Sequence, residues 1–196
     1  MTLPSQLTDA FAEEWQRLAK PGATLDGAGR VEVAVTARAA YAGAATPEEP
    51  VHQAASTISA SPASIREAWV EGIASEIGYP TYVEVAGVVA RLTAVDTVHR
   101  ALGLELMALP QPEPGEPTGE VDPDLRKTSA WVPMKAASVV YALGIVPAEM
   151  RAQEIMSGPL YMTYEAMDDP AHPGVITRAQ KELVASRTSA INECFY

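Results

Sequence analysis

The stretch from Tyr82 to Leu102 constrains the fold most. It reads YVEVAGVVARLTAVDTVHRAL, a helix that is apolar almost all the way round. Such a helix has to be covered on every side, which places it in the middle of the fold. Glu84, Arg91, Asp96, His99 and Arg100 interrupt it, which is too much charge for a bilayer span. Gly103 follows as the residue just past its C-terminus. A central helix of this kind needs other helices around it.

The flanking sequence supplies them. Leu7, Phe11, Trp15 and Leu18 recur at helical spacing within Leu3–Lys20, and Pro21-Gly22 ends that pattern. Arg30–Tyr41 has valines at 31, 33 and 35 that would suit a strand, but its alanine-rich continuation favours a helix. Val51–Ile58 is a short helix after a loop over 43–50. Ser61-Pro62 predicts the next N-terminus, with Ser64 and Glu67 as a capping box and Ile65, Trp69, Ile73 and Ile77 along one face. Residues 109–129 differ in texture, since five prolines and several acids make an extended, polyproline-like connector. Helices are then expected over Val132–Leu143, Pro147–Ser157 and Leu160–Met167. The last helix starts at Thr177, where Thr177 and Gln180 form a capping box. The expected fold is therefore all-α, with an N-terminal helical unit over 1–108, the connector over 109–129 and a C-terminal helical unit over 130–196.

Composition narrows the function. The 196 residues carry 25 acidic and 14 basic side chains, a formal net charge of -11. This argues against non-specific binding to nucleic acid or to an anionic membrane, both of which call for clustered Lys and Arg. The N-terminus, MTLPSQLTDAFAEEW, lacks the basic start and apolar core of a signal peptide. With a single cysteine the chain forms no internal disulfide, so nothing points to an oxidising compartment and a cytoplasmic location is the expectation. The apolar surface of 82–102 and of the tail after Arg178 leads to the further expectation of a homo-oligomer.

Candidate chemistry is concentrated near the C-terminus. Cys194 is the only thiol, and its thiolate would be the reactive form. Glu193 and the Tyr196 carboxylate lie close by in sequence and disfavour that thiolate. Glu182 shares a polar helical stripe with Ser186, Ser189 and Glu193, and a glutamate near a thiol can move its proton. An unbroken helix would separate Glu182 from Cys194 by about 18 Å, so the chain has to turn back near Asn192 for the two to meet. Asp96, His99 and Arg100 form a second cluster, too poor in ligands for a metal. His52 and His172 fall in loops. Glu84 precedes Asp96 by the same offset that separates Glu182 from Cys194, which suggests a duplicated helical unit.

At KELVASRTSAINECFY the sequence resembles the alkylhydroperoxidase-D-like (AhpD-like) family, which includes the carboxymuconolactone decarboxylases. The family signature is a glutamate, a cysteine twelve positions on, then x-x-Cys and x-x-x-His; Glu182 and Cys194 match its first two positions. YVEVAGVVARLTAVDTVHRALG, LPQPEPGEPTGE and AWVPM resemble the family's two-unit members, so the similarity runs from about Arg30 onward. The resemblance implies an all-helical oligomer and a thiol-dependent peroxidase. In that reading Cys194 is the first thiol of a pair, Glu182 belongs to the proton relay, a peroxide is the substrate and a thiol is the reductant. It implies no organic cofactor and no metal. The second cysteine would be residue 197 and the histidine residue 201, so the 196-residue form is not expected to turn over as a dithiol peroxidase. One explanation is a Cys-x-x-selenocysteine protein whose UGA codon was read as a stop. The competing readings are a carboxymuconolactone-decarboxylase-like lyase and a non-catalytic helical oligomer.

Overall fold

In the computed structural model, residues 2–136, 138–167, 169, 171 and 174–191 are described. Their regular secondary structure is helical, with no strand among them. The helices are α1 (Ser5–Ala19), α2 (Gly27–Tyr41), α3 (Pro50–Ala60), α4 (Glu67–Ile77), α5 (Tyr79–Ala101), α6 (Pro147–Leu160), α7 (Tyr164–Met167) and α8 (Arg178–Ile191). The all-α expectation holds.

α5 is the centre. Val83, Val85, Val88, Val89, Leu92 and Val95 are all essentially inaccessible. They are covered by α1, α2, α3, α4 and α6, each of which packs directly on α5. The apolar surface of 82–102 is thus consumed inside the chain, and self-association cannot be argued from it. Small side chains let two of the covering helices come close: Ala34, Ala37 and Ala40 of α2 and Ala54 and Ala55 of α3 are buried where these helices pack. Phe11, Trp15 and Leu18 of α1 complete the core on the other side.

Local chemistry sets the helix ends. Asp26 caps α2 by accepting from the Gly29 N–H at 2.7 Å, and Glu49 caps α3 through the His52 N–H at 2.9 Å. Gly103, at φ 65°, closes α5 as expected, with Leu104 N–H donating to the His99 carbonyl at 2.8 Å. The joint between α4 and α5 is Gly78, at φ 81°.

Three expectations fail. Leu160–Met167 is not one helix, because α6 runs on through Pro159 to Leu160 and only Tyr164–Met167 of the remainder is helical. Ser61-Pro62 opens only a single 3-10 turn, Pro62–Ser64; α4 starts later, after Arg66, and the Ser64 hydroxyl donates to the Ser61 carbonyl instead of capping α4. Val132–Leu143 is not a helix. Ser138 is extended there, and only a 3-10 turn, Val139–Tyr141, forms. A segment of this length without a cap is marginal on its own, and it is instead anchored at its end by Asp122 N–H donating to the Ile145 carbonyl at 2.9 Å.

The connector has no regular secondary structure, and it runs as a strap across the turn between α1 and α2. Glu113 N–H donates to the Ala19 carbonyl at 2.7 Å, Thr118 N–H to Gly22 at 2.8 Å and Gly119 N–H to Ala23 at 2.9 Å. Lys127 then bridges to Glu67 and Glu71 of α4. No helix among the described residues is long and apolar enough to cross a membrane.

Candidate functional site

α8 begins as its sequence predicts. Thr177 N–H donates to Gln180 Oε1 at 2.8 Å, and Gln180 N–H returns to Thr177 Oγ1 at 3.3 Å, so both halves of the capping box are made. One turn in, Glu182 Oε1 accepts from Arg178 Nε at 2.5 Å and from the Tyr161 hydroxyl at 2.8 Å. Arg178 also donates to the carbonyls of Ala166 and Met167, at 3.1 and 3.2 Å, which ties α8 to α7. The hydrogen bonds from Tyr161 and then Arg178 hold the Glu182 carboxyl below its ordinary range. Burial, with Glu182 beside it, pushes the Tyr161 phenol up. The Tyr161 hydroxyl thus donates to the Glu182 carboxylate, and both shifts keep the proton on the phenol.

Tyr161 lines an open groove of about 550 Å³ together with Leu160, Lys181, Val184 and Ala185; Glu182 does not line it. Tyr161 was not legible as a partner of Glu182, because the two meet only through the turn between α6 and α8. Cys194 and Glu193 fall among residues 192–196, outside the described residues, and so does His172.

The second candidate cluster comes apart. Asp96 takes a two-pronged bond from Arg38 of α2, with Nε at 2.9 Å and Nη2 at 2.7 Å, and a looser one from Arg100 at 3.5 Å. His99 is turned elsewhere: Nδ1 sits 2.9 Å from the Val95 carbonyl, and the ring lies 5.8 Å from that of Phe11. Asp96 and His99 therefore do not act on one another. His52 lies not in a loop but in the first turn of α3, where it pairs with the Thr36 hydroxyl at 2.8 Å. No group of three His, Cys, Asp or Glu is arranged to hold a metal among the described residues.

The structure instead builds its strongest electrostatics at a place the sequence did not single out. Glu14, Arg17, Arg30, Glu84, Arg91 and Glu149 form one network, in which every member but Arg17 is buried. Arg30 Nη1 donates to Glu84 at 2.6 Å and to Glu149 at 2.8 Å. Arg91 Nε donates to Glu14 at 2.8 Å, and Arg91 Nη2 pairs with Glu149. The second Glu84 oxygen accepts from the Thr24 amide and hydroxyl, at 2.7 and 2.8 Å. Gly87 of α5 makes room for Glu149, since a Cβ there would stand 2.5 Å from its Oε2.

Burial by itself would raise the Glu149 pKa, but the charges and hydrogen bonds of Arg91 and Arg30 outweigh it and bring the group down to about 2. A carboxylate so firmly ionised does not exchange protons near neutral pH, so the network is a structural clasp. Its signal in the sequence was Glu84 and Arg91, seven residues apart on one face of an otherwise apolar helix. Glu84 is fully buried whereas Glu182 is 44% exposed, so the two glutamates at matching offsets live in unlike surroundings.

Compared with protein-family models, with curated proteins and with solved structures, the chain has no match in any of the three.

Proposed function

We propose that the chain is a thiol-dependent oxidoreductase of the AhpD-like kind, in which Cys194 attacks a peroxide and Glu182 with Tyr161 moves the protons. What supports this reading is the Tyr161–Glu182 hydrogen bond beside an open groove, on the helix that leads toward Cys194. The Cys194 thiolate attacks one peroxide oxygen, the O–O bond breaks, sulfur is oxidised to a sulfenic acid and the peroxide is reduced to an alcohol. The leaving oxygen takes one proton, which in this reading Tyr161 donates and Glu182 replenishes from the thiol. A thiol reductant then condenses with the sulfenic acid, releasing water and leaving a mixed disulfide that a second thiol reduces. Cys194 is the sole cysteine of these 196 residues, so both thiols come from outside them.

Cumene hydroperoxide in the presence of dimedone tests the reading. Mass spectrometry is expected to find one peroxide-dependent adduct, at Cys194. Glu182→Gln is expected to slow its formation by at least about 100-fold, the usual worth of a positioned proton carrier. No adduct, or an unaltered rate in Glu182→Gln, overturns it. A lyase of the carboxymuconolactone decarboxylase type would use the same carboxylate–phenol pair without the thiol. For that reading, activity surviving Cys194→Ser is the signature.

Self-association is part of the proposal, now carried by α8. Leu183, Val184 and Ile191 are 70, 62 and 64% exposed, and no α8 side chain is buried within the chain. Multi-angle light scattering is expected to give more than one chain mass, falling toward one in a Leu183→Asp, Val184→Asp variant. A monomer before mutation refutes it.

A further inference from the structure

A second large cavity, of about 520 Å³, lies between the α4–α5 pair and the segment that failed to become a helix. Val70 and Tyr82 form one wall; Trp131, Val132, Met134 and Ala142 form the other. It shares no lining residue with the groove beside α8. Among the described residues no Asp, Glu, Lys or Arg lines it, and the hydroxyls on its walls belong to Tyr82, Ser129 and Ser138. Apolar walls, a volume of a few hundred Å³ and a few polar groups are the ordinary make-up of a small-molecule site.

Tyr82 points to what such a site would hold. The residue is only 7% exposed, yet its hydroxyl has no hydrogen-bond partner among the described residues. Tyr82 lines the cavity and its hydroxyl is not among the sealed polar atoms, so it is open to an acceptor on a ligand. Its ring is fixed edge-on to Trp69, 6.3 Å away, so the hydroxyl is held in place. Burial pushes the phenol up to about 12, which keeps it a neutral donor at physiological pH. A ligand anion would find no cation in the wall and a chain of net charge -11 around it. A ligand cation would find no carboxylate there.

We propose that this cavity binds an uncharged, mainly apolar small molecule whose carbonyl, or an equivalent acceptor, takes the Tyr82 hydroxyl hydrogen bond. Recognition is then by shape and one hydrogen bond, with selection against charged relatives of the same skeleton.

Nile red, neutral and fluorescent in apolar sites, serves as reporter, with benzophenone and its anionic relative 4-benzoylbenzoate as competitors. The expected result is saturable one-to-one Nile red binding, displaced by benzophenone at least about tenfold more readily than by the anion. Tyr82→Phe is expected to weaken benzophenone about tenfold, the worth of one hydrogen bond of about 1.4 kcal/mol. Ala142→Trp is expected to fill the cavity and abolish binding, whereas Val184→Asp on α8 leaves it intact. Benzophenone photolabelling of the unmutated chain gives a readout independent of how the variants fold, with Met134 the expected site. Absence of saturable binding overturns the proposal. So do equal competition by the anion, unchanged affinity in a folded Tyr82→Phe protein, and labelling confined to α8.

Discussion

Glu149→Ala is expected to destabilise the chain by about 3–5 kcal/mol, because it leaves Arg30 and Arg91 buried without their shared carboxylate. For a chain of this size that is a fall of roughly 10 °C in Tm, read by calorimetry or circular dichroism. Arg30 is the worse affected, since its Nε and Nη2 already lack partners. Glu149→Leu combined with Arg91→Met removes a charge of each sign and is expected to recover part of the loss, as replaced ion pairs do. The same clasp makes stability depend on acid. Folding lowers the Glu149 pKa from 4.5 to about 2, so its contribution of about 3 kcal/mol is complete above pH 4.5 and fades as the pH falls toward 2. Glu149→Ala should flatten that part of the acid-unfolding curve. A loss below about 1 kcal/mol at neutral pH would mean that the guanidinium groups are solvated, contrary to their burial.

Gly27→Ala is the second substitution with a large expected cost. Gly27 opens α2 at the point where the strap crosses, and a Cβ there would press into the carbonyl oxygens of both Ala19 and Glu113. Both are backbone atoms, and the Glu113 N–H donates to the Ala19 carbonyl at 2.7 Å, so neither can swing aside as a side-chain tip would. The end of α1 or the strap has to move, at a cost of about 3 kcal/mol, the upper end of the ordinary overpacking range. Gly72→Ala is the matched control. Gly72 is exposed in the middle of α4 with nothing within 4 Å of a new Cβ, and helix propensity alone should make that variant more stable by about 0.5–1 kcal/mol. Urea denaturation of the two proteins separates the effects. Equal behaviour would mean that the strap does not press on α2.

What could be read from the sequence was local. The almost all-round apolar character of α5 announced a central helix, and Thr177 with Gln180 announced the start of α8, because each signal lies within a few turns of its effect. The segment 132–143 misled for the complementary reason. Its alanine-rich composition favours a helix, but its conformation is set by the strap's bond to Ile145 and by packing around a cavity. The charged network was equally hidden, since Arg30 meets Glu84 across 54 residues and Glu149 across 119. Of the proposed site, Glu182 was legible from spacing and resemblance, whereas Tyr161 came into view only with the fold.

The clasp also bears on the order in which the chain is made. Glu14, Arg17, Arg30, Glu84 and Arg91 all lie in the first 108 residues, three guanidinium groups against two carboxylates. The residue that balances them, Glu149, belongs to α6, on the far side of the connector. An emerging chain that has completed α5 but not α6 therefore carries an excess positive charge at its centre and an uncovered stripe of α1 and α5. If the first half collapses before α6 is made, it meets the same deficit that Glu149→Ala would make permanent, and the arrival of α6 neutralises it.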